Sequence, residues 1–96
     1  MISQRIQLVK VQSSQIFAMS YVWPDGAKCG NAYMAFSGGR SIYEYEGVSE
    51  TLYQAIYKAD SIGGAFTRTI KADPKRFPYR KLTAEEMALV EFVDKA

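Results

Sequence analysis

Histidine is absent from the 96 residues, and cysteine occurs once, at Cys29. Without histidine there is no Ser-His-Asp or Cys-His arrangement, and the commonest metal ligand is missing. A single cysteine excludes an internal disulfide framework and directs expectation to a reducing compartment. No window approaches the roughly 18 apolar residues of a membrane span. The opening MISQRIQLVKVQ alternates polar and apolar residues and lacks the uncharged apolar block of an export signal. Repeats and low-complexity tracts are also missing. These absences lead us to expect a soluble, cytoplasmic protein that uses no metal and no cofactor and does not enter a membrane.

What is present is enough to fold. The apolar share is 48% and the aromatic share 14%, which fits a packed core and not a disordered tail. A chain of this length makes one domain, 1–96. The net charge of +2 implies no partner by itself, but its distribution is uneven. Arg68, Lys71, Lys75, Arg76, Arg80 and Lys81 follow one another against the single acid Asp73, while acids gather at Glu44, Glu46 and Glu50 and again at Glu85, Glu86, Glu91 and Asp94.

Alternation marks strands in RIQLVKV, QIFAMSYVW, AYMAF and SIYEYEGV, broken by the WPDG turn, the AKCGN loop and SGGR. In the second run Phe17, Met19, Tyr21 and Trp23 alternate with Ile16, Ala18, Ser20 and Val22, so both faces are apolar and the strand is central. A helix follows, N-capped by Ser49, with Leu52, Ala55, Ile56 and Ala59 at helical spacing and Tyr53 and Tyr57 beside them. The glycines of DSIGG end it, and Phe66 and Ile70 mark a short second helix. ADPKRFPYRKL is extended or irregular. Thr83 and Glu86 form a capping box for a last helix over 83–96, carrying Met87, Leu89, Val90 and Val93. The expected fold is α+β: a small antiparallel meander of three to four strands packed by one main helix, with a short second helix and an appended C-terminal helix.

Enzymatic constellations are thin. Cys29 has Lys28 beside it but no histidine base, so a structural or exposed thiol is the reading. Glu44 and Glu46 share one face of a strand, as alternation in a solvated strand routinely produces. SGGR lacks the lysine and the spacing of a phosphate-cradling loop. We therefore expect no catalytic residues.

The ordered series Phe36, Gly38, then Tyr43, Tyr45, Gly47 and Val48, then a helix, then Ser61, Gly63, Phe66 and Ile70 resembles the KTSC domain, a small module found at the C-terminus of some lysyl-tRNA synthetases and also free-standing. VQSSQI and FPYRKL extend the resemblance over 11–82. It implies a strand-meander-plus-helix module with no established enzymatic role, for which RNA binding has been suggested. The chain departs from the pattern in a longer Trp23–Asn31 loop, an extra glycine in SGGR, and the segment after Thr83.

Two surfaces could bind. The segment holding Arg68, Lys71, Lys75, Arg76, Phe77, Tyr79, Arg80 and Lys81 interleaves cations with rings, which suits RNA or another polyanion. Its bland counterpart is a solvated surface with Phe77 and Tyr79 anchored in the core. Tyr43 and Tyr45 could form a stacking platform. However, the opposite face of their strand carries Glu44 and Glu46, which seldom face a core unpaired, so the tyrosines are expected to pack on the Leu52–Ala59 helix and the glutamates to face water. Alternatives are a protein-interaction or inhibitor module, or a homodimer, using the 83–96 helix, and a small-nucleotide-binding protein using the tyrosines with the basic segment.

Overall fold

The computed structural model describes residues 6–13, 15–22, 29–38 and 41–94. The expected WPDG turn, Ser14, Lys28 and the Gly39–Arg40 end of SGGR lie outside the described residues. The elements are β1 (Ile6–Lys10), β2 (Ile16–Val22), β3 (Gly30–Phe36), β4 (Ile42–Val48), α1 (Glu50–Tyr57), α2 (Ile62–Arg68), β5 (Tyr79–Lys81), α3 (Ala84–Met87) and β6 (Val90–Val93). They build an α+β fold around one sheet of order β5-β4-β3-β2-β1-β6.

β1 to β4 form the expected antiparallel meander, with β2 and β3 interior. The sheet is larger than expected because both of its edges are extended. β5 pairs antiparallel with β4, and Leu82 and Glu46 donate backbone N–H groups to the carbonyls of Ile42 and Pro78, each at 2.9 Å. β6 pairs parallel with β1, in the register Ile6–Val90 to Val9–Val93.

This second pairing corrects the expected helix over 83–96. The capping box does form, with the Thr83 hydroxyl accepting from the Glu86 N–H and the Glu86 carboxylate from the Thr83 N–H, but the helix ends at Met87. Beyond it, Val90, Phe92 and Val93 are β-branched or aromatic. Over so short a run their spacing serves a strand as well as a helix. The outer edge of β1 would otherwise present unpaired N–H and C=O groups, and β6 satisfies them.

Both faces of the sheet are covered. On one face Ile16, Met19, Met34, Tyr45 and Val48 pack against Tyr53 and Ile56 of α1, Ile62 and Phe66 of α2, and Ile70 and Phe77 beyond it. On the other, Leu8, Ala18, Tyr33, Ala35, Ile42 and Leu82 form a smaller core with Met87 and Val90 against it. Two irregularities decide which side chain reaches which face. A register shift in β2 between Ile16 and Ala18 breaks the simple alternation, so Phe17 does not join Met19 and instead meets Phe92 edge-on at 5.2 Å. In β4 an extra residue lies between Tyr45 and Val48, where Gly47 has a φ of +74°. That conformation strains an L side chain, and it returns Val48 to the face Tyr45 already occupies.

The Ser49 hydroxyl accepts from the Leu52 N–H at 3.1 Å and caps α1 as expected. The buried stripe is rotated, however: Tyr53 and Ile56 face the core, whereas Ala55 is exposed. Tyr53 stacks on Tyr21 with centroids 4.9 Å apart. The Tyr21 hydroxyl donates to the Val48 carbonyl at 2.6 Å and accepts from the Gly30 N–H at 2.9 Å, tying α1 to the far end of the meander. DSIGG does not end α1 through glycine. Lys58 closes α1 in a right-handed conformation, and Gly63 and Gly64 stand in the first turn of α2, whose N-cap is Ser61.

Candidate nucleic-acid interface

The basic segment starts on α2 and ends on β5, so the fold separates its members. Arg68 occupies the last turn of α2 and is exposed. Ile70 is fully buried and pins the turn that follows. Lys71, Lys75 and Arg76 are exposed on that turn, which is held by Phe77 N–H donation to the Asp73 carbonyl at 3.0 Å and by Arg76 N–H donation to the Asp73 carboxylate at 3.3 Å. Phe77 is buried in the main core, and the Arg76 guanidinium lies 5.3 Å from its ring centroid. The bland reading therefore holds for Phe77 but not for Tyr79, which is 57% exposed.

β5 divides its side chains by alternation. Tyr79 and Lys81 stand opposite Tyr45 and Tyr43, while Arg80 stands opposite Glu44. Tyr79 is 5.6 Å from Tyr45 and 5.9 Å from Tyr43, centroid to centroid, and Tyr43 meets Phe36 at 5.9 Å. Tyr45 also packs edge-on against Phe66 at 5.2 Å. The tyrosine pair thus faces the helical layer, as expected, but the ring Tyr45 meets there belongs to α2. Burial, then the neighbouring Tyr43 and Tyr79, pushes the Tyr45 phenol up to about 12, so it remains a neutral hydroxyl.

Arg80 has a different occupation. Its Nε donates to Glu44 at 2.8 Å, and its two terminal nitrogens donate to the two Glu86 oxygens at 2.7 Å each. Glu44 is only 7% exposed, which corrects the expectation that both glutamates face water; Glu46 alone does so. The physical reason is that Glu44 is fully partnered. Besides Arg80 it accepts from the Tyr33 hydroxyl at 2.7 Å and from the Asn31 amide at 3.3 Å, and a buried charge is tolerated when it is paired and hydrogen-bonded. The Tyr33 phenol is pushed well above its ordinary range by burial and then by its bond to Glu44. Arg80 therefore clamps β5, β4 and α3 together and commits three of its five N–H groups to carboxylates.

Around these residues lie hollows. A cleft of about 370 Å³ is lined by Phe36, Tyr43, Tyr45, Ile70, Lys71, Pro74 and Tyr79. It joins the tyrosine pair to the basic segment. Phe36 and Pro74 belong to it although sequence reasoning did not select them; the aromatic in AYMAF and the proline after Asp73 were the available signals. On the other side of the 71–76 turn, Arg68 and Arg76 line a second hollow of about 420 Å³ that Cys29 also borders. On the opposite sheet face, a largely apolar groove of about 460 Å³ runs between Phe17 and Ile42 of the meander and Met87, Val90 and Phe92.

The geometry can offer ring faces, a lysine rim and scattered free cations. Among the described residues it brings together no metal-ligating cluster and no helix long and apolar enough to cross a membrane. No curated protein matches the chain. A family model, the KTSC domain, matches residues 33–73, from β3 to the turn that carries Lys71. The matched segment holds Phe36, Tyr43, Tyr45, Ile70 and Lys71 of the cleft and leaves out Pro74, Tyr79 and the two added edge strands, and over that segment the chain is similar to the KTSC domain.

Proposed function

We propose that the protein is a non-enzymatic binding module for RNA or a related polyanion. One observation carries the reading: Lys71 lines an aromatic cleft, Lys81 stands opposite its Tyr43, Lys75 and Arg76 are exposed on the adjoining turn, and none of the four is ion-paired among the described residues. Unpaired cations contribute by neutralising phosphates and releasing counterions, and nearby rings supply sequence-tolerant stacking. Arg80 drops out of the expected set because its charge is already balanced by two carboxylates, Glu44 and Glu86.

The test is binding of fluorescent RNA as a function of salt. A log-log slope of about −3 corresponds to four or so phosphate contacts. The combined reversal Lys71→Glu, Lys75→Glu, Arg76→Glu and Lys81→Glu should abolish retention at low salt. Retention that survives this reversal, or no binding by the wild type, sinks the proposal. Arg80→Glu is unsuitable as a probe, since it would strand Glu44.

A protein-interaction module is the second reading, supported by the apolar groove and by Phe17 and Phe92 at its border, 43% and 41% exposed. The helix once expected there is replaced by α3 and β6. A partner that survives nuclease treatment and is lost on Phe92→Lys would favour it. Retention of that partner by Phe92→Lys would count against it.

A further inference from the structure

We infer that the tyrosine cleft takes one unstacked base of a single strand, so that the protein selects single-stranded over duplex RNA; this rests on the binding function proposed above and specifies its ligand. The cleft has the shape chemistry of a base slot. Its lining is mostly aromatic, with Tyr43, Tyr45 and Tyr79 in mutual contact, and Pro74 and Lys71 complete it. Its volume of about 370 Å³ falls in the roughly 300–1,000 Å³ range of small-ligand sites, too small for a helix and large enough for a nucleoside.

What the walls offer decides which form of nucleic acid fits. Ring faces engage only the face of a base. In a duplex those faces are covered by neighbouring base pairs, and only edges, sugars and phosphates are exposed. Taking a base out of a duplex carries an unpairing and unstacking penalty that a flexible strand avoids. Tyr79 is the ring most open to a base, because it sits on the short edge strand and is more than half exposed, whereas Tyr45 is buried against Phe66. Lys71 lines the same cleft and Lys81 shares the Tyr79 side of β5, so a base held in the slot has cations on either side for its flanking phosphates.

Fluorescence anisotropy at one low salt concentration tests this with four probes: an 8-nucleotide single-stranded RNA, the same sequence as a duplex, the same strand with abasic riboses, and a nucleoside monophosphate as competitor. The single strand should bind at least about tenfold tighter than the duplex and the abasic strand. Tyr79→Ala should weaken single-strand binding by roughly 5- to 150-fold, the range of one lost base–aromatic stack, with the salt slope kept, and Tyr79→Phe should restore it. Equal affinity for duplex and single strand, or no effect of Tyr79→Ala, overturns the inference while leaving polyanion binding standing. A monophosphate that competes as well as the strand also overturns it. No binding to any probe removes both.

Discussion

The guanidinium of Arg80 meets the carboxylate of Glu86 as a two-toothed fork, both N–O distances being 2.7 Å. The third donor, Nε, reaches the buried Glu44. One side chain from the shortest strand therefore joins the edge of the sheet to the α3 cap and neutralises an internal charge.

Arg80→Ala should lower stability by about 1.5–3 kcal/mol, the worth of hydrogen bonds to a charged group. We place it in that range because the arginine is itself partly solvated. Lys81→Ala, one residue along, should stay within about 0.5 kcal/mol. Urea denaturation of the two variants makes the comparison, and equal midpoints would remove the clamp from the account.

The same fork, aided by the Thr83 N–H, holds the Glu86 carboxyl down to about 2 from its ordinary 4.5. A depressed folded-state value means the contribution is complete above 4.5 and is lost as pH falls through 2. Urea midpoints measured across that window should converge for wild type and Glu86→Gln, with the wild type ahead at neutral pH. A gap that stays constant on acidification would refute the assignment.

Two glycines are required for different reasons, and one substitution separates them. A Cβ on Gly30 would sit 2.5 Å from the Val22 carbonyl oxygen, which is backbone and cannot give way, whereas at Gly47 the obstacle is the φ of +74°. Alanine at either site should cost about 1–3 kcal/mol. Asparagine, which tolerates left-handed backbone, should recover part of the loss at Gly47 and deepen it at Gly30. Thermal melts of the four variants decide this.

Removing residues 90–96 should leave the outer edge of β1 unpaired. Amide exchange is expected to accelerate through β1 while β3 and β4, farther across the sheet, keep their protection. Unchanged protection in β1 would mean that β6 adds nothing to it.

The readable parts of this fold were those set by near neighbours. Ser49 and the Thr83–Glu86 box lie within a turn of what they cap, and the meander strands announce themselves by alternation. The inward turn of Tyr43 and Tyr45 was legible from the opposite face of their strand, but for an incomplete reason. Glu44 is not in water; it is buried against Arg80, a partner contributed by a distant strand that no local pattern reveals. Strand β6 was hidden for a similar reason, since its conformation depends on which backbone edge the rest of the sheet leaves open. The aromatic cleft fell between the two kinds of information: its tyrosines and its lysine were each visible, but only the pairing of β5 with β4 brings Tyr79 over them.

The parallel pairing of β1 with β6 also bears on how the domain comes into being. Among the described elements the ribosome delivers β1 first and β6 last, so β1 waits for every other strand and helix of the domain before its outer neighbour exists. Ladders of such long sequence separation form slowly, and an open edge is exposed to stray partners meanwhile. The meander and its helices can gather as the nascent chain lengthens, but completing the sheet must wait until β6 has been made.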